Sequence, residues 1–155
     1  MDKYLKVLWI EDTADQDLLF MMPPFYLEAT IDLDIAATAS EGYSFLKNHV
    51  YDIIIVDIRI PPGKNKLFTQ GFLDEQDFEY SNKMGLLLLE AIFENNDILE
   101  ANRNTAKYGV FSIERKVEIL SSLRKYGISK YLKKTTELES TALLEFVKEI
   151  KNDNN

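Results

Sequence analysis

Tyr51-Asp52-Ile53-Ile54-Ile55-Val56-Asp57-Ile58-Arg59-Ile60-Pro61-Pro62-Gly63 is the stretch whose reading decides the fold. Ile53 to Val56 is an unbroken β-branched run, the pattern of a short strand buried on both faces of a parallel sheet. The run ends on a carboxylate, Asp57, and Pro61-Pro62-Gly63 forces a turn soon after. A charge beside a core strand is costly to bury, so Asp57 belongs at the strand's C-terminal mouth, where open α/β sheets bind ligands. Asp57 is therefore the first candidate functional residue.

Upstream, Leu5 to Ile10 reads as a strand that also ends in acids, Glu11 and Asp12. Asp12 or Thr13 caps the following helix, with Asp15 and Asp17 in its first turn. Pro23-Pro24 bends or splits that helix, which reaches about Ala29. Ile31 to Ala37 is a second strand. Ser40 caps a short helix, Glu41 to Asn48, leaving His49 as a surface residue at its end.

Downstream of the decisive stretch, residues 64–83 are polar and aromatic, with Phe68, Phe72, Phe78 and Tyr80. A connection of this length is unusual in a compact domain and is often functional. It reads as an insert whose aromatics cover an extra core patch, or alternatively as a lid or partner-binding arm. A third helix follows from Met84 through Leu86-Leu87-Leu88-Leu89 to Phe93, apolar enough to be well buried, and Asn95 to Thr105 reads as loop or frayed helix end. Tyr108 to Ser112 is a fourth strand, and Val117, Leu120 and Leu123 mark a fourth helix stopped by Gly127. Ser129 to Lys134 is the fifth strand. Thr136-Glu137-Leu138-Glu139 is a capping box opening a last helix with a stripe of Leu143, Leu144, Val147 and Ile150. Residues 152–155 form a frayed tail.

Strands alternating with helices imply right-handed crossovers. The expected architecture is α/β: a single domain over 1–151, with one doubly wound five-stranded parallel sheet. Its expected order is 2-1-3-4-5, in a flavodoxin-like three-layer αβα arrangement.

Composition narrows the chemistry. Cysteine is absent, which excludes disulfides and thiolate metal sites and points to a reducing cytoplasm. The single histidine argues against a His-based zinc site or a serine triad. A net charge of −8 argues against general nucleic-acid binding, and no apolar run is long enough to insert in a membrane. Between Arg103 and Lys134, nine Lys/Arg face two Glu, a net of +7 against −15 elsewhere. That asymmetry suggests either a directional partner surface or merely a solvated helix face.

In the 2-1-3-4-5 order, Glu11, Asp12, Asp57, Ser112 and Lys134 converge on one pocket at the strand ends. Three carboxylates at that spacing repel one another unless a cation joins them, and an all-oxygen donor set suits a hard divalent ion, Mg²⁺. A carboxylate nucleophile beside Mg²⁺ suits formation of an aspartyl-phosphate, with Lys134 and Ser112 placed to hold phosphoryl oxygens.

At Ile10-Glu11-Asp12, Asp57-Ile58-Arg59-Ile60-Pro61, Ser112 and Tyr131-Leu132-Lys133-Lys134, the chain resembles the receiver domain of two-component response regulators, in its stand-alone, chemotaxis-regulator-like form. The resemblance covers nearly the whole chain, and its specificity lies in the order and spacing of motifs that are individually weak. It implies phosphotransfer from a histidine kinase or a histidine phosphotransfer protein onto Asp57. It further implies Mg²⁺ held by Asp12, Asp57 and the Arg59 carbonyl, with Glu11 acting through water. Ser112 and Tyr131 would form the switch pair, and the fourth-helix/fifth-strand/fifth-helix face, overlapping the basic segment, would meet a downstream protein. Such a chain is a phospho-acceptor rather than an enzyme, at most catalysing its own phosphorylation and dephosphorylation. Three departures stand out. Ile113 occupies a position usually small and is expected to crowd the pocket, Thr135 replaces a proline, and the glycine usual after the Pro61 position becomes Gly85. They leave open a degenerate, phosphate-independent adaptor. A hydrolase is disfavoured because Arg59, not an acid, stands two residues after Asp57.

Overall fold

The computed structural model describes residues 4–63, 83–95 and 97–153. The insert expected at 64–83 lies outside the described residues except for Lys83. Five strands form one parallel sheet in the order β2-β1-β3-β4-β5. They are β1 (Leu5–Ile10), β2 (Ile31–Ala36), β3 (Ile53–Val56), β4 (Lys107–Ser112) and β5 (Lys130–Lys133). The order and the parallel pairing are those expected from the sequence.

Period-2 alternation divides the core into two layers. Leu8, Ile10, Ile54, Val56 and Val110 face one cluster, which includes Leu46, Leu87, Leu88, Ile119 and Leu123. Val7, Trp9, Ile53, Ile55 and Phe111 face the other, which includes Met21, Phe25, Leu143, Val147 and Ile150. The first cluster is covered by helices α2 (Ala39–Asn48), α3 (Met84–Glu90), α4 (Glu100–Thr105) and α5 (Lys116–Lys125). The second lies under α1 (Pro23–Leu27) and α6 (Ala142–Lys151). A strand buried on both sides must be apolar at every position, which is why Ile53 to Val56 is unbroken.

Several local expectations are corrected. No regular helix begins at Asp12 or Thr13: residues 12–18 form turns, a 3₁₀ turn covers Leu19–Met21, and α1 is five residues long. Pro23 and Pro24 open α1 at its first positions, where a missing N–H costs nothing, instead of bending a longer helix. The cap of α2 is Thr38, whose side chain accepts from the Glu41 N–H, while Ser40 donates to the Pro62 carbonyl at 2.7 Å. Val117 is exposed; Ile119 and Leu123 carry the buried face of α5. Thr136 does not open the last helix, which begins at Ala142 with no side-chain cap.

The stretch from Asn95 to Thr105, read as loop or frayed helix end, is structured where it is described: a π-helical turn at Ala91–Asn95 leads into it, a 3₁₀ turn covers Asp97–Leu99, and α4 follows. Asn102 explains the order. It is buried, accepts from the Tyr51 N–H at 2.8 Å, and donates to the carbonyls of Leu46 and His49. A turn of helix is thereby tied to the end of α2 and the start of β3, with each polar group satisfied.

Candidate phosphoryl-acceptor pocket

The parallel ladder continues for one step past the strand ends and fixes the pocket. The Glu11 N–H donates to Ala36, the Asp57 N–H to Ile10 and the Lys134 N–H to Ser112, at 2.8, 3.0 and 2.9 Å. These backbone bonds hold the side chains of Glu11, Asp57 and Lys134 at the same end of neighbouring strands. Glu11 and Asp57 are buried, whereas Asp12 is partly exposed at the rim. One carboxylate oxygen from each of Glu11, Asp12 and Asp57 lies within 4.8 Å of the others. Three hard oxygen donors at that spacing are compatible with one Mg²⁺.

Lys134 bridges the two buried acids, with Nζ 2.6 Å from Glu11 Oε2 and 2.8 Å from Asp57 Oδ2. The same ammonium lies 5.5 Å from the centroid of the Phe111 ring, and Phe111 stacks on buried Trp9 at 6.4 Å. Burial, with the neighbouring Asp57 charge, pushes Glu11 up to about 7, although Lys134 opposes both effects. Burial alone would lower Lys134, but Asp57 and Glu11 outweigh it and hold it above its ordinary value. The pocket thus concentrates negative charge that a single lysine only partly compensates.

Arg59 turns its backbone N–H toward Asp57 Oδ1 at 3.3 Å, which places its main chain at the pocket edge. Its exposed guanidinium ion-pairs with Glu114, a buried carboxylate that sequence reasoning missed. Glu114 is also a backbone hub: its N–H donates to Ser112 Oγ at 3.2 Å, and its carbonyl accepts from the Tyr131 hydroxyl. Ser112 is fully buried and Tyr131 half-buried, so the two residues of the expected switch pair meet through Glu114's main chain. The signal was present in the sequence. Arg59 and Glu114 follow the ends of the adjacent strands β3 and β4, three residues after Val56 and two after Ser112, and carry opposite charges.

Gly85 has a plain steric reason. A Cβ there would collide with the Asp57 carbonyl oxygen and lie 2.7 Å from Ile58 Cα, while the Gly85 N–H donates to Ile58 at 2.9 Å. The start of α3 therefore presses directly on the backbone of Asp57, with only a hydrogen between them. Ile113, expected to crowd the pocket, is instead 57% exposed. Among the described residues no peptide bond is cis, including the one before Thr135.

On the Glu11 side a cavity of about 300 Å³ is lined by Ala14, Leu19, Met22, Tyr26 and Glu41. It exists because the segment after β1 is turns and a short helix. Tyr26 and Leu27 beside it are 74% and 88% exposed.

No protein-family model and no curated protein sequence matches the chain. Solved structures do. A CheY-like response regulator receiver domain protein from Methanospirillum hungatei superposes with a TM-score of 0.64 at 20% identity, covering 95% of this chain and 93% of that one. The chemotaxis response regulator CheY4 of Vibrio cholerae gives 0.64 at 16%, covering 96% and 99%. A response regulator from Thermotoga maritima gives 0.62 at 19%, covering 97% and 99%. With sheet order, layer composition and near-complete coverage in agreement, this chain has the receiver-domain fold of CheY-like response regulators.

Proposed function

We infer that the chain is a receiver whose Asp57 accepts a phosphoryl group from a histidine kinase or histidine phosphotransfer protein, changing how it docks on a downstream protein. One observation carries this reading: a buried aspartate at the mouth of the central strand, bridged to Lys134 and clustered with Glu11 and Asp12. The residues fit Mg²⁺, with Asp12, Asp57 and the Arg59 carbonyl as ligands and Glu11 through water. Bound there, the ion would neutralise the acids and the transferring phosphoryl oxygens.

The chain's own residues supply the rest. An Asp57 oxygen forms the new P–O bond as the donor's P–N bond breaks, and the ladder bonds around Asp57 hold that oxygen in place. Lys134, already on Asp57, neutralises one phosphoryl oxygen. Ser112 offers its hydroxyl to another once it leaves the Glu114 amide, and Tyr131 follows through the same hub. This chemistry rests on positioning and charge stabilisation, and the phosphoryl group selects between states of one fold.

Lys134 already pairs with both Glu11 and Asp57 without any ion, which favours a second reading: a phosphate-independent adaptor. One experiment separates the two. The protein is treated with Mg²⁺ and acetyl phosphate or beryllium fluoride, and intact mass, Trp9 fluorescence and amide shifts are followed. The receiver reading expects a phosphoryl adduct and shifts at Asp57, Ser112 and Tyr131, all lost in Asp57→Asn. An unchanged parent protein identical to Asp57→Asn would leave the adaptor.

A further inference from the structure

The cavity on the Glu11 side owes its shape to an incomplete cover over β2. Trp9 and Ile35 are register partners on neighbouring strands, yet Trp9 is fully buried while Ile35 is only partly so. The cluster around Trp9 includes Met21, Met22 and Phe25, supplied by the 3₁₀ turn and the short α1, and that cover stops short of Ile35. The result is a hollow of about 300 Å³ at the C-terminal ends of β1 and β2, between the turns after β1 and the start of α2. Ala14, Leu19, Met22 and Ile35 make its walls apolar, and Tyr26 adds an aromatic ring.

Three carboxylates line the same hollow, Glu11, Asp15 and Glu41, and no Lys, Arg or His does among the described residues. Their partners are few. Glu11 accepts from the Thr13 N–H and hydroxyl at 3.3 and 2.9 Å and pairs with Lys134 at 2.6 Å, a cation it shares with Asp57. Glu41 accepts one long bond, from the Ala37 N–H at 3.4 Å, and Asp15 has no partner among the described residues. Asp15 and Glu41 therefore face the hollow without a cation. Glu11, Asp15 and Glu41 are not gathered closely enough to share one metal ion, in contrast to Glu11, Asp12 and Asp57. Apolar walls also give a hydrated ion nothing to bind.

We propose that this hollow binds a small primary amine with an apolar body, its ammonium toward Asp15 and Glu41 and its body against Leu19, Met22 and Ile35. The volume is at the lower end of the range for small-molecule pockets and suits a body of about one ring. An anion would meet three carboxylates, a neutral apolar molecule would leave both charges unanswered, and a bare cation would make no use of the walls. Asp15 and Glu41 are exposed, so water screens each contact and the affinity is modest. The site shares Glu11 with the Asp57 pocket as a common wall, which gives the chain a chemical input beside that pocket and separate from the phosphoryl group.

Phenethylamine, an ammonium at neutral pH, titrated into the full chain without Mg²⁺ and followed by amide shifts, tests this. Saturable shifts in the millimolar range are expected at Ala14, Leu19, Ile35 and Ala37, with Tyr108 and Lys130 at the far end of the sheet unmoved. Phenethyl alcohol and methylamine should each bind at least about fivefold more weakly, because one lacks the charge and the other the body. Asp15→Asn combined with Glu41→Gln should weaken phenethylamine about tenfold, and both side chains are exposed, so the fold is kept. Ala37→Trp, at the exposed rim, should abolish binding by filling the hollow. Absence of saturable shifts overturns the site. Equal binding of phenethyl alcohol or methylamine overturns the ligand class, and unchanged binding in both variants overturns the location. Since none of these readouts involves Asp57, the proposal stands or falls independently of phosphoryl transfer.

Discussion

At the scale of single residues, the pocket is governed by an unfavourable charge. Glu11 is buried beside Asp57 and titrates near 7 instead of its ordinary 4.5. Its folded pKa is the raised one, so between pH 4.5 and 7 the folded state holds more protons than the unfolded state. Stability therefore falls as pH rises through that window. The drop is on the order of 3 kcal/mol, at 1.36 kcal/mol per pKa unit. Denaturant melts from pH 4.5 to 7.5 should show this decline in the parent and a flatter profile in Glu11→Gln. Millimolar Mg²⁺ should recover part of the loss at pH 7.5 in the parent.

Arg59 and Glu114 make a second residue-scale contrast. Glu114 is buried and Arg59 is exposed, so removing either partner is not equivalent. Arg59→Ala leaves a buried carboxylate unpaired, whereas Glu114→Ala leaves a guanidinium that water can solvate. Thermal melts at neutral pH should place Arg59→Ala below Glu114→Ala. The reverse order would show that the backbone hub at Glu114, and not its charge, matters more.

At the scale of elements, the junction between α3 and the loop that carries Asp57 is the tightest constraint. Gly85→Ala places a methyl group against the Asp57 carbonyl and Ile58 Cα, so either α3 or the Asp57 loop must shift. Overpacking of this kind costs about 1–3 kcal/mol. Because the shift acts on Asp57 itself, the rate of phosphoryl uptake from acetyl phosphate should drop alongside stability. A variant that loses stability but keeps the parent's uptake rate would show that the loop absorbs the strain without moving Asp57.

Element boundaries were legible wherever burial set them. The β-branched run of β3, the leucines of α3 and the stripe of α6 are all buried as their patterns indicate. Short polar signals were less informative. Ser40 and Thr136 have the chemistry of caps, yet Ser40 lies inside α2 and donates to the Pro62 carbonyl while Thr38 accepts as the cap, and Thr136 lies ahead of a stretch that never becomes helical. A capping side chain forms one bond, and any tertiary partner of similar strength can outcompete it. Asn102 is the converse case: an ordinary polar residue in sequence that becomes a buried tie because three backbone groups converge on it.

At the scale of the whole molecule, one end of the sheet gathers acids. Beside the acid end lies an exposed apolar patch, Leu19, Phe20, Tyr26 and Leu27. On the proposed receiver function, a protein donor would seat next to that mouth, and exposed apolar side chains grouped there favour a partner. Tyr26→Ser with Leu27→Ser should change stability by no more than about 0.5 kcal/mol, since both side chains are solvent-exposed. Uptake from acetyl phosphate should stay at the parent's rate, while transfer from a histidine phosphotransfer protein slows. Equal slowing with both donors would show that the patch supports the pocket and does not dock a partner.

The sequence by itself determined the sheet and its acidic mouth. A strand buried on both faces must be continuously apolar, and a carboxylate at its end has one affordable location, so Ile53 to Asp57 could be read without coordinates. The convergence of Glu11, Asp12, Asp57, Ser112 and Lys134 follows from the 2-1-3-4-5 strand order, an order expected for a receiver-like chain and found in the sheet. Only the tertiary structure decided which groups touch. Lys134 bridges Glu11 and Asp57, Glu114 joins Arg59, Ser112 and Tyr131, and Gly85 abuts Asp57. Patterning specifies the face a residue occupies through burial, a property of its own segment. Pairwise contacts depend on angles and distances set by all segments together, and no single segment encodes them.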